Sequence, residues 1–413
     1  MTTENSKSVS YGLPHWGVFA VGLATTFRFE AIGFFFGSEV LLALFALAIL
    51  AVRKNVSYLR PLLWALASFA LLCVVIFVID RMRHIALTET AKGVALYVAL
   101  GLNLAGLYAI CGRDLYRQTT FLIAMSLGTA LQFALFGGFH MWAGVWKFAY
   151  GTPVTVVVCF AAGRLFGVSI RAACVLLGMA ILNLLLDTRS VAGLCLFAAA
   201  ATAGTPFIRR LFGRPSYKVL VAAGLVALAL VSVFSATYKL VASSGFLDRR
   251  AEARYLVQNA AEGGFLLAAR GDLIGAVLAI RKSPIIGFGS SPEDPQIARI
   301  TVYMQTLVNP ALKYHNPDSN RISTHSFLLG AWVQIGILGA LFWAAWFMLA
   351  ARSAADVLWL PDVLVAGWLI FILLGLWNIL ASPFAGFQRL QAAILINFVI
   401  TLMASRARRR QHG

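Results

Sequence analysis

The feature that most constrains this chain is its succession of apolar runs, each close to the roughly 20 residues that an α-helix needs to cross a bilayer. Windows of about 19 residues place them near 16–34, 37–52, 61–79, 91–111, 119–144, 151–167, 169–186, 190–206, 217–241, 325–351, 362–383 and 387–405. Backbone N–H and C=O groups in hydrocarbon must bond within their own segment or a closed barrel, so such runs favour helices. The expectation is an all-α polytopic membrane protein of about twelve spans. Composition agrees: 60% of the 413 residues are hydrophobic and 12% charged, against about 45–50% and 25% in soluble domains.

Charge sets the orientation. Lys and Arg total 34 against 16 Asp and Glu, a formal +18. In a soluble protein that balance would point to nucleic acid; here many basic residues fall in alternate loops. One set holds Arg53, Lys54 and Arg60, then Arg113 and Arg117, Arg164 and Arg171, Arg209, Arg210, Arg214 and Lys218, and last Arg406 to Arg410. The positive-inside rule makes this the cytoplasmic set, with both termini inside and residues 242–324 outside. The chain reads as one membrane domain, 1–413, carrying that segment as a single external insert between spans nine and ten. The insert opens with a mixed-charge amphipathic stretch that predicts two helices, turns at the Gly- and Pro-rich run 283–295, and closes with a polar run through 313–324. It is expected to pack on the membrane domain. No cleavable signal peptide is expected, because the first fifteen residues are polar and the first apolar run leads into others.

Five cysteines, Cys73, Cys111, Cys159, Cys174 and Cys195, lie in or beside apolar runs without a C-x-x-C pair. That argues against a disulfide framework and against a thiolate metal site. No D-x-D occurs, and Glu293 and Asp294 are adjacent in a Pro-rich turn, a poor match to the separated carboxylates of glycosidases. Neither a metal nor a cofactor is expected.

Ionisable residues in or beside a bilayer are costly and invite a functional reading. Arg28 and Glu30 fall within the first span and read most simply as a mutual pair. Asp80, Arg81, Arg83 and His84 leave the third span on the external side and read as a solvated loop. Arg189 lies in the external turn between spans seven and eight, either paired with Asp187 or part of a site. Arg389 opens the last span on the same side. The insert adds Arg270, Arg281, Lys282, Arg299, Lys313, Arg321 and His315. Several guanidinium groups on one side favour an anion, since their forked donors match phosphate oxygens. His325 stands where the insert enters the tenth span, at the membrane boundary. Neutral imidazole is suited to proton abstraction near neutral pH, although a structural role is the simpler reading for a lone interfacial histidine.

His325 and Ser326, nine further residues, then Gly336 and Gly339 form H-[NSQ]-x9-G-x-x-G. Arg270, the apolar stretch Ala276 to Ile280, and Pro284, Gly287 and Gly289 form an R, apolar helix, P-x-x-G-x-G segment. Thr188, Arg189 and Ser190 approximate an S-R-G turn, with Thr and Ser as departures. In this order the three motifs resemble the family of O-antigen ligases and Wzy-type polymerases. The resemblance implies a GT-C type fold and a glycosyltransferase that uses undecaprenyl-diphosphate-linked glycan as donor, on the periplasmic side of the bacterial inner membrane. The acceptor would be a lipid A-core hydroxyl for a ligase or another repeat unit for a polymerase, and the motif spacing tilts towards ligase. Arg189, Arg270 and His325 fall at the catalytic positions that the resemblance implies; Arg321, Arg389, Ser326 and His315 are expected to contact substrate. The competing class is a secondary transporter, which would show related halves and charged or broken helices near the midplane. No internal repeat appears.

Overall fold

A computed structural model describes residues 12–31, 33–52, 56–137, 144–226, 271–308 and 320–411, with 229 and 232 singly. Its helices are α1 (His15–Leu23), α2 (Gly37–Val52), α3 (Val56–Met82), α4 (Leu87–Cys111), α5 (Leu115–Phe136), α6 (Gly151–Phe166), α7 (Ile170–Leu185), α8 (Arg189–Phe212), α9 (Tyr217–Val226), α10 (Gly271–Lys282), α11 (Pro295–Val308), α12 (Phe327–Ile335), α13 (Ile337–Val357), α14 (Asp362–Ala381) and α15 (Phe387–Gln411). Eight helical segments among the described residues are long and apolar enough to cross a membrane, and three shorter apolar helices lie at Gly37–Ala48, Ile170–Leu185 and Tyr217–Val226. The chain is thus an α-helical, multi-pass membrane protein.

Several expected spans take another form. The first is a nine-residue helix, a 3-10 turn and an antiparallel hairpin of β1 (Arg28–Ala31) and β2 (Gly33–Phe36). Arg28 and Glu30 do pair, at 3.4 Å, but as alternate residues on one strand face, with the Arg28 guanidinium 3.6 Å from the Phe34 ring centre. The tenth is divided into α12 and α13 at Gly336. The insert also holds a helix that its sequence did not announce, α11. Its start follows local preference all the same, because Asp294 accepts from the N–H of Gln296 and Ile297 and Pro295 is the first helical residue, the preferred N-cap and N1 residues.

α4, α14 and α15 are the most enclosed spans. Trp368 of α14 stacks on Phe398 of α15 at 3.8 Å and meets Phe160 of α6 edge-on at 5.8 Å. α2 lies directly on α4, where a side chain at Gly106 would run into the Leu42 backbone, the close approach by which small residues let helices pack in lipid. Large apolar side chains such as Trp64, Leu71, Val74 and Phe77 on α3 face outwards, as lipid contact requires.

Arg209 of α8 donates to Asp362 and to the carbonyls of Leu358 and Leu360, and Arg406 pairs with buried Asp356. Part of the basic end therefore ties helices together as well as setting charge. The chain around Leu13, bonded to Ile110, and the end of α15 both lie at this proximal end. The opposite, distal end carries the hairpin and helices α10–α12.

Candidate functional site

The distal site is built around α12, a nine-residue helix. Ser326 caps it: its Oγ accepts from the Leu329 N–H at 3.1 Å and donates to the Ile379 carbonyl near the end of α14 at 3.0 Å. α12 rises from this anchor to Gly336 and reverses into α13. The reversal is antiparallel, since Phe327 meets Trp343 at 4.9 Å and a side chain at Gly339 would strike the Ala331 carbonyl. Gly336 has φ 72° and ψ −154°, a region essentially confined to glycine that costs an L-residue about 1–3 kcal/mol. The start of α12 accordingly lies level with the second turn of α13 and the last turn of α14. His325, exposed, immediately precedes it.

The second glycine-rich segment meets the first here. Phe288 N–H donates to the Val333 carbonyl at 2.7 Å, Gly289 to Gln334 at 2.9 Å, and Ile337 to Ile285 at 3.2 Å. Trp332 Nε1 donates to the Pro284 carbonyl at 2.8 Å. Only hydrogens fit between the strands of chain: a Cβ on Gly336 would lie 1.9 Å from the Ile285 oxygen, and one on Gly287, at φ 77°, 2.6 Å from the Gly336 nitrogen. The two segments, some 50 residues apart in sequence, thus form one backbone-bonded unit. Its small core joins Ala276, Ala279, Phe288, Ile297, Ile322 and Val333.

This unit is fastened to the membrane helices by Asp80, which is fully buried. Its carboxylate accepts from the Ser290 N–H at 2.8 Å and from the Ser290 hydroxyl at 2.5 Å. The expected solvated loop is therefore corrected at Asp80: the Ser290 donors offset the cost of burying its charge. Arg83, exposed, donates to Ser283 at 2.8 Å and lies 5.1 Å from the Phe288 ring centre. Lys282 pairs with Asp294. That bond, with the N–H groups of Ile297 and Gln296, holds the Asp294 carboxyl below the usual carboxylate range despite its burial.

The other expected site residues are distributed unevenly. Arg321 is exposed and lies 3.6 Å from Glu89 and 3.9 Å from Glu293, linking the insert to the top of α4. Arg189 opens α8 and its Nε lies 3.2 Å from Asp187, so the ion-pair reading is realised. A cation at a helix start also adds to the positive potential already there. Arg389 is drawn inwards: Nε and a terminal nitrogen each donate to Glu39 at 2.8 Å, and the latter also to the Phe34 carbonyl at 3.1 Å. Asn103 donates to the same carboxylate at 2.7 Å and Phe36 N–H at 3.1 Å. The contact expected between Arg389 and substrate thus competes with an intramolecular carboxylate. Arg270 and His315, with Lys313, lie outside the described residues.

Sequence reasoning placed Asp80 in a solvated loop and passed over Ser290 and Glu39. A lone acid at a span boundary was a usable signal for Asp80 and Glu39; nothing local marked Ser290. Among the described residues no three His, Cys, Asp or Glu side chains are grouped to hold a metal ion. A cavity of about 160 Å³ lies between α12, α4 and the α14–α15 turn. No protein-family model matches the chain, and no curated protein matches it.

Proposed function

We propose that this protein is an inverting, metal-independent glycosyltransferase of the O-antigen ligase type, moving a glycan from undecaprenyl diphosphate to a lipid A-core hydroxyl in lipopolysaccharide assembly. The observation that carries the reading is the backbone unit of 284–289 with 333–337. Two motifs whose resemblance rests on sequence alone belong to one backbone-bonded unit, whose helix α12 begins directly after His325 and Ser326.

In the proposed reaction the donor's lipid lies along the helices with its diphosphate at the distal end. The His325 imidazole takes the proton of the acceptor hydroxyl; that oxygen bonds to the anomeric carbon from the face opposite the leaving group. The bond to undecaprenyl diphosphate breaks, and the departing oxygen carries the electron pair. Arg189 at the start of α8, with Arg270, would stabilise the charge that develops there, as preorganised donors do. A base so placed contributes roughly 100- to 10,000-fold. The distal end then faces the periplasm, the chain sits in the bacterial inner membrane, and both termini are cytoplasmic.

The test uses purified wild-type, His325→Ala and Arg189→Ala proteins with lipid-linked glycan and lipid A-core. Loss of transfer and of undecaprenyl diphosphate release in folded variants supports the reading; transfer at the wild-type rate sinks it. Deletion of the gene separates the acceptors. Long glycan retained on the carrier indicates ligase, whereas single repeat units indicate the polymerase, which would use the same base and arginines.

A further inference from the structure

The chain bearing His325 forms one wall of the distal cavity of about 160 Å³. A cavity of about 150 Å³ accepts one benzene molecule; a hexopyranose has about twice as many heavy atoms, so this one encloses one edge of a single sugar ring rather than an oligosaccharide or a lipid tail. Its walls are unlike those of a benzene site. Thr324 and Gln334 line it, and neither the Thr324 hydroxyl nor the Gln334 amide has a hydrogen-bond partner among the described residues. Together they offer donors and acceptors of both kinds. Tyr97 and Phe384 line it as well, with ring centres 5.6 Å apart and planes tilted by 41°. Aromatic faces carry negative potential and attract C–H groups. The lining therefore matches a ring with C–H groups on its faces and hydroxyls at its edge, which is a hexopyranose.

The position of His325 refines this. Thr324 and Ser326 both line the cavity, and Ser326 has extended backbone at φ −158° and ψ 134°. His325 between them is exposed and does not line the cavity, as alternation of side chains along extended chain would have it. The geometry points to a monosaccharide subsite, formed by Thr324, Gln334, Tyr97 and Phe384, that holds the hexopyranose next to the reacting sugar. Its placement beside a reacting sugar rests on the glycosyltransferase reading; its capacity to bind a hexopyranose does not.

The experiment takes the full chain in detergent and measures saturation-transfer NMR with methyl hexopyranosides of neutral, 6-deoxy and 2-acetamido type. The variants are Thr324→Val, Gln334→Leu and Gly330→Ala, whose methyl group would lie 3.0 Å from the Thr324 hydroxyl. At least one glycoside is expected to bind the wild type, and each variant to weaken it about 3- to 10-fold, as loss of one neutral hydrogen bond implies. In the transfer assay a matching rise in acceptor KM at constant kcat assigns the ring to the acceptor, and a rise in donor KM assigns it to the donor; either supports the subsite. Wild-type protein that binds none of the glycosides, or binding that all three folded variants leave intact, overturns it. Glycoside binding through these residues in a protein that transfers no glycan overturns the proposed function and leaves the subsite standing.

Discussion

The buried pair of Glu39 and Arg389 permits a quantitative prediction. Their side chains are 2% and 5% exposed, and the Glu39 carboxylate accepts from Arg389 twice, from Asn103 and from the Phe36 N–H. Glu39→Gln keeps the shape but removes the charge, and sets an NH2 group against donors. Arg389→Met instead leaves the carboxylate with two neutral donors. Removing one partner of a buried pair costs about 3–5 kcal/mol, whereas replacing both with uncharged groups costs much less. At 1.4 kcal/mol per decade that cost is roughly a 100- to 4,000-fold change in equilibrium. Polytopic proteins usually unfold irreversibly, so the practical measure is a half-life, which expresses only the part lost before the transition state. Each single variant is expected to shorten the half-life of monomeric detergent-solubilised protein at fixed temperature by at least about tenfold, and the double variant to recover most of it. Single variants as durable as wild type, or a double variant no better than the worse single one, would refute the argument. The same proteins test the substrate role expected for Arg389. If the double variant, once folded, transfers glycan normally, Arg389 acts through Glu39; a specific loss of transfer returns it to the substrate.

Three further outcomes follow from the distal unit. Gly336→Ala combines a φ of 72° with a Cβ 1.9 Å from the Ile285 oxygen, so it is expected to part α12 from residues 284–289, abolish transfer and open α10–α11 to limited proteolysis; wild-type proteolysis would contradict this. Asp80→Asn loses at least one of the two bonds from Ser290 at a cost of about 1–3 kcal/mol, seen as faster hydrogen exchange at 287–291 with α3 unchanged. For Asp294 the folded pKa is lowered, so its contribution is complete above the unfolded value of about 4 and is lost as pH falls through the folded value. Hydrogen exchange of α11 should accelerate across that acidic window, and Asp294→Asn should flatten the dependence.

The α-helical membrane class was legible because each span must satisfy its own backbone in lipid, which stamps hydrophobicity on every run independently of its neighbours. The break at Gly336 was less legible: within 325–351 hydropathy is continuous, and only a glycine marks the reversal. The hairpin at 28–36 was hidden likewise, since β2 is apolar and the two charges of β1, Arg28 and Glu30, read equally well as a mutual pair within a helix. The motifs of the candidate site were visible as isolated glycines, an arginine and a histidine, without the contacts that join them.

What the sequence determined by itself is therefore whatever depends on local chemistry, namely the apolar runs and the basic end. Tertiary structure decided which charges meet. It buried Asp80 on Ser290, 210 residues away, and Glu39 on Arg389, 350 residues away, while leaving His325 exposed. An unpaired buried charge is costly wherever its partner lies in the chain, so these partnerships are fixed by packing in space, and no local window of sequence contains them.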